Sequence, residues 1–139
     1  MDNDWKKMKE GKDLNHFPLG IVVISVIMFF AALATDIFWL AKILGKGFPQ
    51  TMPVSSKVYN AFVWPDLVLS LFLYVGAVGL IQLKKFGFIA SLVGMGMWIF
   101  DLLLIWGITG SSRLDIILPS LLFALFTVYY LWTRRELFA

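Results

Sequence analysis

Cysteine is absent from this chain, and histidine and charged residues are scarce. The 139 residues contain no cysteine and one histidine, His16. The absence of cysteine excludes a disulfide framework, a thiol redox relay and a cysteine-ligated metal cluster. Charged residues make up 15% of the chain, whereas a soluble domain has about 25%. The sequence therefore lacks the charge that a water-exposed surface normally carries.

The residues that take their place are apolar. The chain is 60% hydrophobic and 17% aromatic, with a mean hydropathy of +0.82. A helix needs roughly 20 apolar residues to cross a hydrocarbon core of about 30 Å, and four segments reach that length: about 19–41, 60–82, 86–108 and 114–132. Short connections make consecutive helices pack antiparallel. The sequence therefore predicts an all-α polytopic membrane protein, with one up-down-up-down four-helix transmembrane bundle over residues 18–133.

Lysine and arginine are divided unevenly between the two ends of the predicted spans. Eight of them lie in the N-terminal tail, in the gap between the second and third spans and at the C-terminus, while four lie at the opposite end. The positive-inside rule then places both termini in the cytoplasm, with polar tails at 1–17 and 134–139. The first apolar run begins at Leu19 without a small-residue cleavage pattern, so no secretory signal is predicted. These features suit the inner membrane of a prokaryote.

Each predicted span carries one aspartate. These four are the only acidic residues between Asp13 and Glu136. A carboxylate near the bilayer centre costs roughly 2.5–3.5 kcal/mol on insertion scales, so it is read by default as a functional-site candidate. Counted along the helices, all four lie on the outer side of the bilayer midplane. The sequence therefore predicts an outward-facing anionic pocket formed by Asp36, Asp66, Asp101 and Asp115.

Simpler roles are open for some of these acids. Asp115 follows Arg113 at the start of a helix, where an acid caps free backbone N–H groups. Asp66 follows Pro65, and proline suits the first turn of a helix, so Asp66 can be a first-turn acid as well. Asp101 has no cation near it in sequence and about two turns of apolar helix above it. A binding or pairing role is therefore favoured most strongly for Asp101.

Two tryptophans accompany the acids at helical spacing. Trp39 lies three residues after Asp36, and Trp98 lies three residues before Asp101, so each tryptophan shares a helix face with an acid. The ordinary interpretation is a tryptophan belt at the membrane interface. The sharper one is a box of indole rings and carboxylates that binds an organic cation through cation–π and ionic contacts.

A hydroxyl group completes the predicted ligand-binding set. Ser70 lies one turn below Asp66 and can hydrogen-bond either that carboxyl group or the backbone of its own helix. His16 lies at the opposite end of the spans from the acids, and no ligand spacing for a metal is present, so no metal and no cofactor are predicted. No catalytic residue is assigned. The predicted ligand-binding residues are Asp36, Asp66, Asp101, Trp39, Trp98, Ser70 and Asp115.

Small residues recur in the second and third predicted spans. In lipid, small side chains allow helix backbones to approach closely. The pattern predicts tight contact between these two spans below the acids. The residues concerned are Gly76, Ala77 and Gly79 in the second span, and Gly87, Ala90, Ser91, Gly94 and Gly96 in the third.

Short motifs carry a resemblance to a known family. The strings TDI at 35–37, PDLVLS at 65–70 and PSL at 119–121 resemble those of an uncharacterised family of small bacterial four-span membrane proteins. The resemblance covers most of residues 25–132 and implies the fold but no activity. The chain also resembles, more loosely, the four-helix membrane domains of sterol-isomerase type, which pair carboxylates with tryptophans around a ligand amine or carbocation. Unlike that group, this chain has no histidine within its predicted spans.

Three functions are compatible with the pattern. The first is binding or transport of a cationic or proton-coupled small ligand, because protonatable acids in a cleft suit proton coupling. The second is an accessory or structural subunit of a membrane complex. The third is a membrane-embedded lipid or isoprenoid isomerase or cyclase with an aspartate as general acid. The expected partners are the lipid bilayer, a small cationic or lipid-like ligand, and a second copy or a partner subunit. A nucleic acid is not expected, because the basic residues encode orientation.

Overall fold

The computed structural model describes residues 18–46 and 55–138. The predicted tail at 1–17, with His16, and the middle of the first loop at 47–54 lie outside the described residues. Within the described ranges the chain is all-α, with 91% of residues in helices and no strand. Its helices are α1 (Leu19–Ile43), α2 (Ser56–Ala61), α3 (Val63–Ile81), α4 (Lys85–Thr109) and α5 (Leu114–Thr133).

Three helical stretches are long and apolar enough to cross a membrane. They are Leu19–Ile43, Val63–Ile81 and Lys85–Thr133. The third stretch consists of α4, a 3₁₀ turn at Gly110–Arg113 and α5, so it contains both the third and the fourth predicted spans. Large apolar side chains also cover the outside of these helices, among them Phe30, Leu71 and Leu122, which are all exposed. Helices that are apolar all round are typical of a membrane protein.

The helices begin and end within three residues of the predicted spans. The largest difference is at the start of the second span, predicted at about residue 60 and observed at Val63. A turn at Phe62 separates α3 from the short helix α2. Asp66 therefore lies in the first turn of α3, as the proline before it allows.

Glycines bring α3 and α4 into backbone contact. A Cβ atom built on Gly79 would collide with the backbone of Gly87, and one built on Gly76 would lie 2.6 Å from Ser91 Oγ. Only residues without a side chain, or with a small one, allow this approach. The predicted tight contact between the second and third spans is confirmed.

The contact between α3 and α4 loosens towards the end of the bundle where α1 and α4 end and α3 begins, which we call the upper end. A Cβ on Gly94, two turns above Gly87, would reach the backbone nitrogen of Leu73 only at 3.6 Å. Gly96, which the sequence groups with the packing residues, points away from this contact, and a Cβ there would meet nothing within 4 Å. The two helices therefore meet closely below and leave space above.

The last helix folds back along α4. Gly110 ends α4 with φ +61°, a left-handed conformation that glycine adopts without steric cost. The Trp98 and Phe123 rings then pack at 6.0 Å between centroids. Further down, a 3₁₀ turn at Arg135–Phe138 follows α5, and its Phe138 ring stacks on Phe88 near the start of α4 at 5.3 Å between centroids. These contacts show that α4 and α5 are antiparallel.

The first helix packs mainly on α3. Its buried face includes Ile21, Ile24 and Met28, which join Leu73 and Leu80 in one hydrophobic core. Near the lower end, a Cβ on Gly20 would collide with the Tyr130 hydroxyl group, so the start of α1 also contacts the end of α5. The helices therefore enclose one hydrophobic core within the described residues.

Candidate functional site

Two aspartates from different helices meet near the upper end. Asp66 belongs to the first turn of α3, and Asp101 lies about two turns before the end of α4. Because these helices run in opposite directions, their acids come to the same height. The two carboxyl groups come close enough to influence each other electrostatically. The structure thus joins two of the four predicted acids in one pair.

Asp101 is the more deeply buried member of the pair. Its side chain is 6% exposed, and its Oδ2 atom is buried without a hydrogen-bond partner within the described residues. A buried polar atom left unpaired costs about 1–3 kcal/mol. Such an atom in a native fold calls for an explanation, and a ligand is one.

Trp39 connects the acid pair to α1. Its indole Nε1 donates a hydrogen bond of 2.8 Å to Asp66 Oδ2, and the tryptophan is 3% exposed. A hydrogen bond to an ionised acceptor is about twice as strong as a neutral one. Side chains from α1, α3 and α4 therefore converge at one place. The sequence predicts that Trp39 accompanies Asp36 on one helix face. In the structure the indole N–H group of Trp39 donates to Asp66 instead.

A second set of contacts ties α2 to this centre. Lys42 Nζ lies 4.9 Å from the centroid of the Trp39 ring and donates a hydrogen bond of 2.9 Å to Asn60 Oδ1. Asn60 belongs to α2, so the short helix is fixed to α1 beside the acid pair. Ordinary cation–π contacts of this kind are worth about 0.5–1 kcal/mol at exposed sites.

Asp36 lies in a separate place. Its carboxylate interacts with the Tyr74 hydroxyl group of α3, and its Oδ1 atom is buried with no hydrogen-bond partner in the described part of the chain. Tyr74 lies about two turns below Asp66 on α3, so Asp36 contacts α3 at a lower level than the acid pair. The structure thus brings Asp66 and Asp101 together and leaves Asp36 apart from them.

The remaining predicted site residues, Ser70, Trp98 and Asp115, interact with groups other than the acid pair. The Ser70 hydroxyl group donates to Leu67 O at 2.9 Å, so it uses its own helix backbone, one of the two alternatives that the sequence left open. The Trp98 ring packs on Phe123. Asp115 is exposed in the first turn of α5, where an acid is favourable to the helix dipole.

Beside the acid pair lies an apolar pocket. Its volume is about 440 Å³, within the range of about 300–1,000 Å³ that is usual for ligand sites. Among the described residues that line it, Asp101 is the only charged one. The α4 residues recur at helical spacing and share one face, which is the one sequence signal that could have found them. The pocket is lined by Ala61, Phe62, Pro65, Gly96, Met97, Phe100, Asp101 and Leu104.

Comparison with known proteins identifies no relative of this chain. No family model matches the chain, and neither a curated protein nor a solved structure matches it. In residues 18–46 and 55–138, no group of three or more histidines or acids is placed to hold a metal ion. The two family resemblances stay predictions, and the geometry of the acid pair and the pocket is what supports a function.

Trp39→Phe is expected to lower the free energy of unfolding by about 1.5–3 kcal/mol, the usual contribution of a hydrogen bond to a charged group. The substitution keeps an aromatic ring but removes the donor to Asp66 Oδ2. Trp98→Phe is the matched control, because Trp98 is half-buried and packs on a ring. The measurement is unfolding of both variants in the same detergent. Equal losses for the two variants would show that the indole N–H group of Trp39 has no special role.

Proposed function

We propose that this chain is a four-span membrane protein that binds a small cationic ligand at the Asp66–Asp101 pair in exchange for a proton. The observation that carries the proposal is the approach of two acids from α3 and α4, one of which, Asp101, has a buried Oδ2 atom with no hydrogen-bond partner in the described part of the chain. Two neighbouring carboxylates repel each other when both are ionised. The pair is therefore stabilised either by a shared proton or by a bound cation. Exchange between these two states is the chemistry of a proton-coupled binding site.

The topology of the proposal has two supports. A straight helix over Lys85–Thr133, 49 residues, would be about 74 Å long, more than twice the hydrocarbon thickness of about 30 Å. The stretch instead reverses at Gly110–Arg113, with α5 packed against α4. We therefore place two spans in it. With both termini cytoplasmic, as the basic residues favour, the acid pair faces the outer side of the membrane, which we take to be the inner membrane of a prokaryote.

Guanidinium is a suitable probe for the proposed exchange. It keeps its charge at any working pH and matches the two oxygens of a carboxylate with two parallel N–H groups. We expect its addition to the purified protein, in weak buffer, to release about one proton for each cation bound, because the cation and the shared proton compete for the same pair. A pH indicator measures the release.

Two variants make this test specific. Asp101→Asn removes one member of the pair and is expected to abolish the proton release. Asp115→Asn makes the same change at an exposed acid of α5 and is expected to leave it intact. The proposal fails if both variants release protons as the wild type does. The same proteins in liposomes then separate transport from binding, since only a transporter moves protons across the membrane in response to a guanidinium gradient.

An isomerase acting on an isoprenoid or sterol-like substrate is the second candidate. The observation that favours it is the position of Asp101, a protonatable group in an otherwise apolar pocket, where it can serve as general acid. This candidate predicts product formation in detergent without any gradient and no proton release with guanidinium. Purification of the chain with a second protein, lost on substitution of Asp101, would instead indicate an accessory subunit.

A further inference from the structure

We infer that the ligand is an amphiphilic cation, in which an alkyl chain carries one head group with N–H donors of the amine or guanidinium class. The inference rests on the proposed function and adds the class of substrate to it. Its two parts, the charged head and the apolar tail, depend on different observations: the acid pair for the head, and the pocket beside it for the tail.

The head group is determined by the only charged residue of the pocket. Asp101 is 6% exposed and has one oxygen with no hydrogen-bond partner among the described residues. The last torsion of an aspartate is broad, so either oxygen can turn towards a ligand. An N–H donor with a positive charge satisfies this atom, whereas an anion would be repelled and a hydrocarbon would leave the atom unpaired.

The tail is determined by the rest of the lining. Phe62, Met97, Phe100 and Leu104 surround the space next to Asp101, and all of them are apolar. A small polar cation would leave most of a pocket of about 440 Å³ unfilled. The alkyl chain of an amphiphile fills it and contacts its walls as the acyl chains contact the outside of the bundle.

The pocket opens on the side of the bundle. Pro65, Gly96 and Phe100 are exposed members of its lining, and Phe100 is 60% exposed. Below it, the backbone contact of Gly79 with Gly87 closes the space between α3 and α4. In the proposed orientation the opening faces the acyl chains, so an amphiphile dissolved in the outer leaflet reaches Asp101 without leaving the membrane.

A photoreactive octylguanidinium, with a diazirine on its alkyl chain, tests the inference in lipid nanodiscs. Light-induced labelling followed by peptide mapping is expected to mark the pocket walls on α2, α3 and α4, with saturation as the probe concentration rises. A probe with the same chain and a hydroxyl head is the control for charge. We expect about tenfold weaker labelling by the alcohol, which corresponds to about 1.4 kcal/mol.

Gly96→Leu tests the tail separately from the head. A Cβ at Gly96 meets nothing within 4 Å, so the leucine fits the fold and occupies the pocket. Gly107→Leu is the matched control, because a Cβ at Gly107 also meets nothing and the residue does not line the pocket. We expect octylguanidinium labelling to fall by about tenfold in Gly96→Leu and to stay unchanged in Gly107→Leu. Proton release by guanidinium should be unchanged in Gly107→Leu, whose position lies outside the pocket lining.

The outcomes distinguish this inference from the proposed function. Unchanged octylguanidinium labelling in Gly96→Leu, labelling outside the pocket walls, or equal labelling by the alcohol would each overturn the amphiphilic cation as ligand. Proton release by guanidinium in the same samples would then still support the Asp66–Asp101 site. Loss of that release in Asp101→Asn, together with pocket labelling that requires the charged head, supports both.

Discussion

Gly79→Leu is expected to lower the free energy of unfolding by about 3 kcal/mol or more, at the upper end of what overpacking costs. A Cβ at this position collides with the Gly87 backbone, and a backbone cannot move aside as a flexible side chain can. The helices α3 and α4 must therefore separate over their lower halves, which also moves Asp66 away from Asp101. Size-exclusion chromatography and thermal unfolding in detergent measure the effect.

The control for this prediction is the same substitution at open positions. Gly96→Leu and Gly107→Leu add an identical side chain where a Cβ meets nothing within 4 Å. Both should be as stable as the wild type or slightly more stable, because leucine favours a helix over glycine by up to about 1 kcal/mol. A Gly79→Leu protein that unfolds together with these controls would contradict the backbone contact between α3 and α4.

The lengths and contacts of the helices could largely be predicted from the sequence. Apolar runs bounded by glycine, proline and basic residues place the helix ends within a few residues, and the small residues of spans two and three predict their contact. Gly96 is the exception. The sequence predicts Gly96 as one of the small residues in the contact between α3 and α4. However, Gly96 follows Gly94 by two positions, which turns it by about 200° around the helix. It therefore faces the pocket instead of the contact.

The pairing of side chains could be predicted only in part. The sequence indicates that Asp101 is buried, since it has no cation nearby and apolar turns on both sides. It does not indicate which acid Asp101 meets, because that depends on the offset and rotation of helices relative to one another. For the same reason, the sequence does not indicate that the Trp39 N–H group donates a hydrogen bond to Asp66 and not to Asp36. Trp98, although three residues from Asp101, packs on Phe123 of α5.

Asp101→Leu is expected to separate stability from binding. Leucine removes the cost of the unpaired Asp101 Oδ2 atom, which is about 1–3 kcal/mol, and the pocket beside Asp101 leaves room for the larger side chain. The variant should therefore unfold at the same temperature as the wild type or higher, while its affinity for a cation is lost. Thermal unfolding and ligand binding on one preparation measure both effects.

The opposite result would assign the acid a structural role. If Asp101 holds α3 and α4 together through Asp66, its removal should destabilise the fold by about 1–3 kcal/mol, because Asp66 loses a polar partner. Asp115→Leu is the matched control, because it removes an exposed acid and is expected to change neither stability nor binding.

Equilibrium binding of radiolabelled guanidinium to the purified protein tests the meeting of Asp66 and Asp101 as a cation site most directly. We predict saturable binding to the wild type and to Asp115→Leu, and no saturable binding to a folded Asp101→Leu protein. Saturable binding of equal affinity to Asp101→Leu, or none to the wild type, would contradict the account.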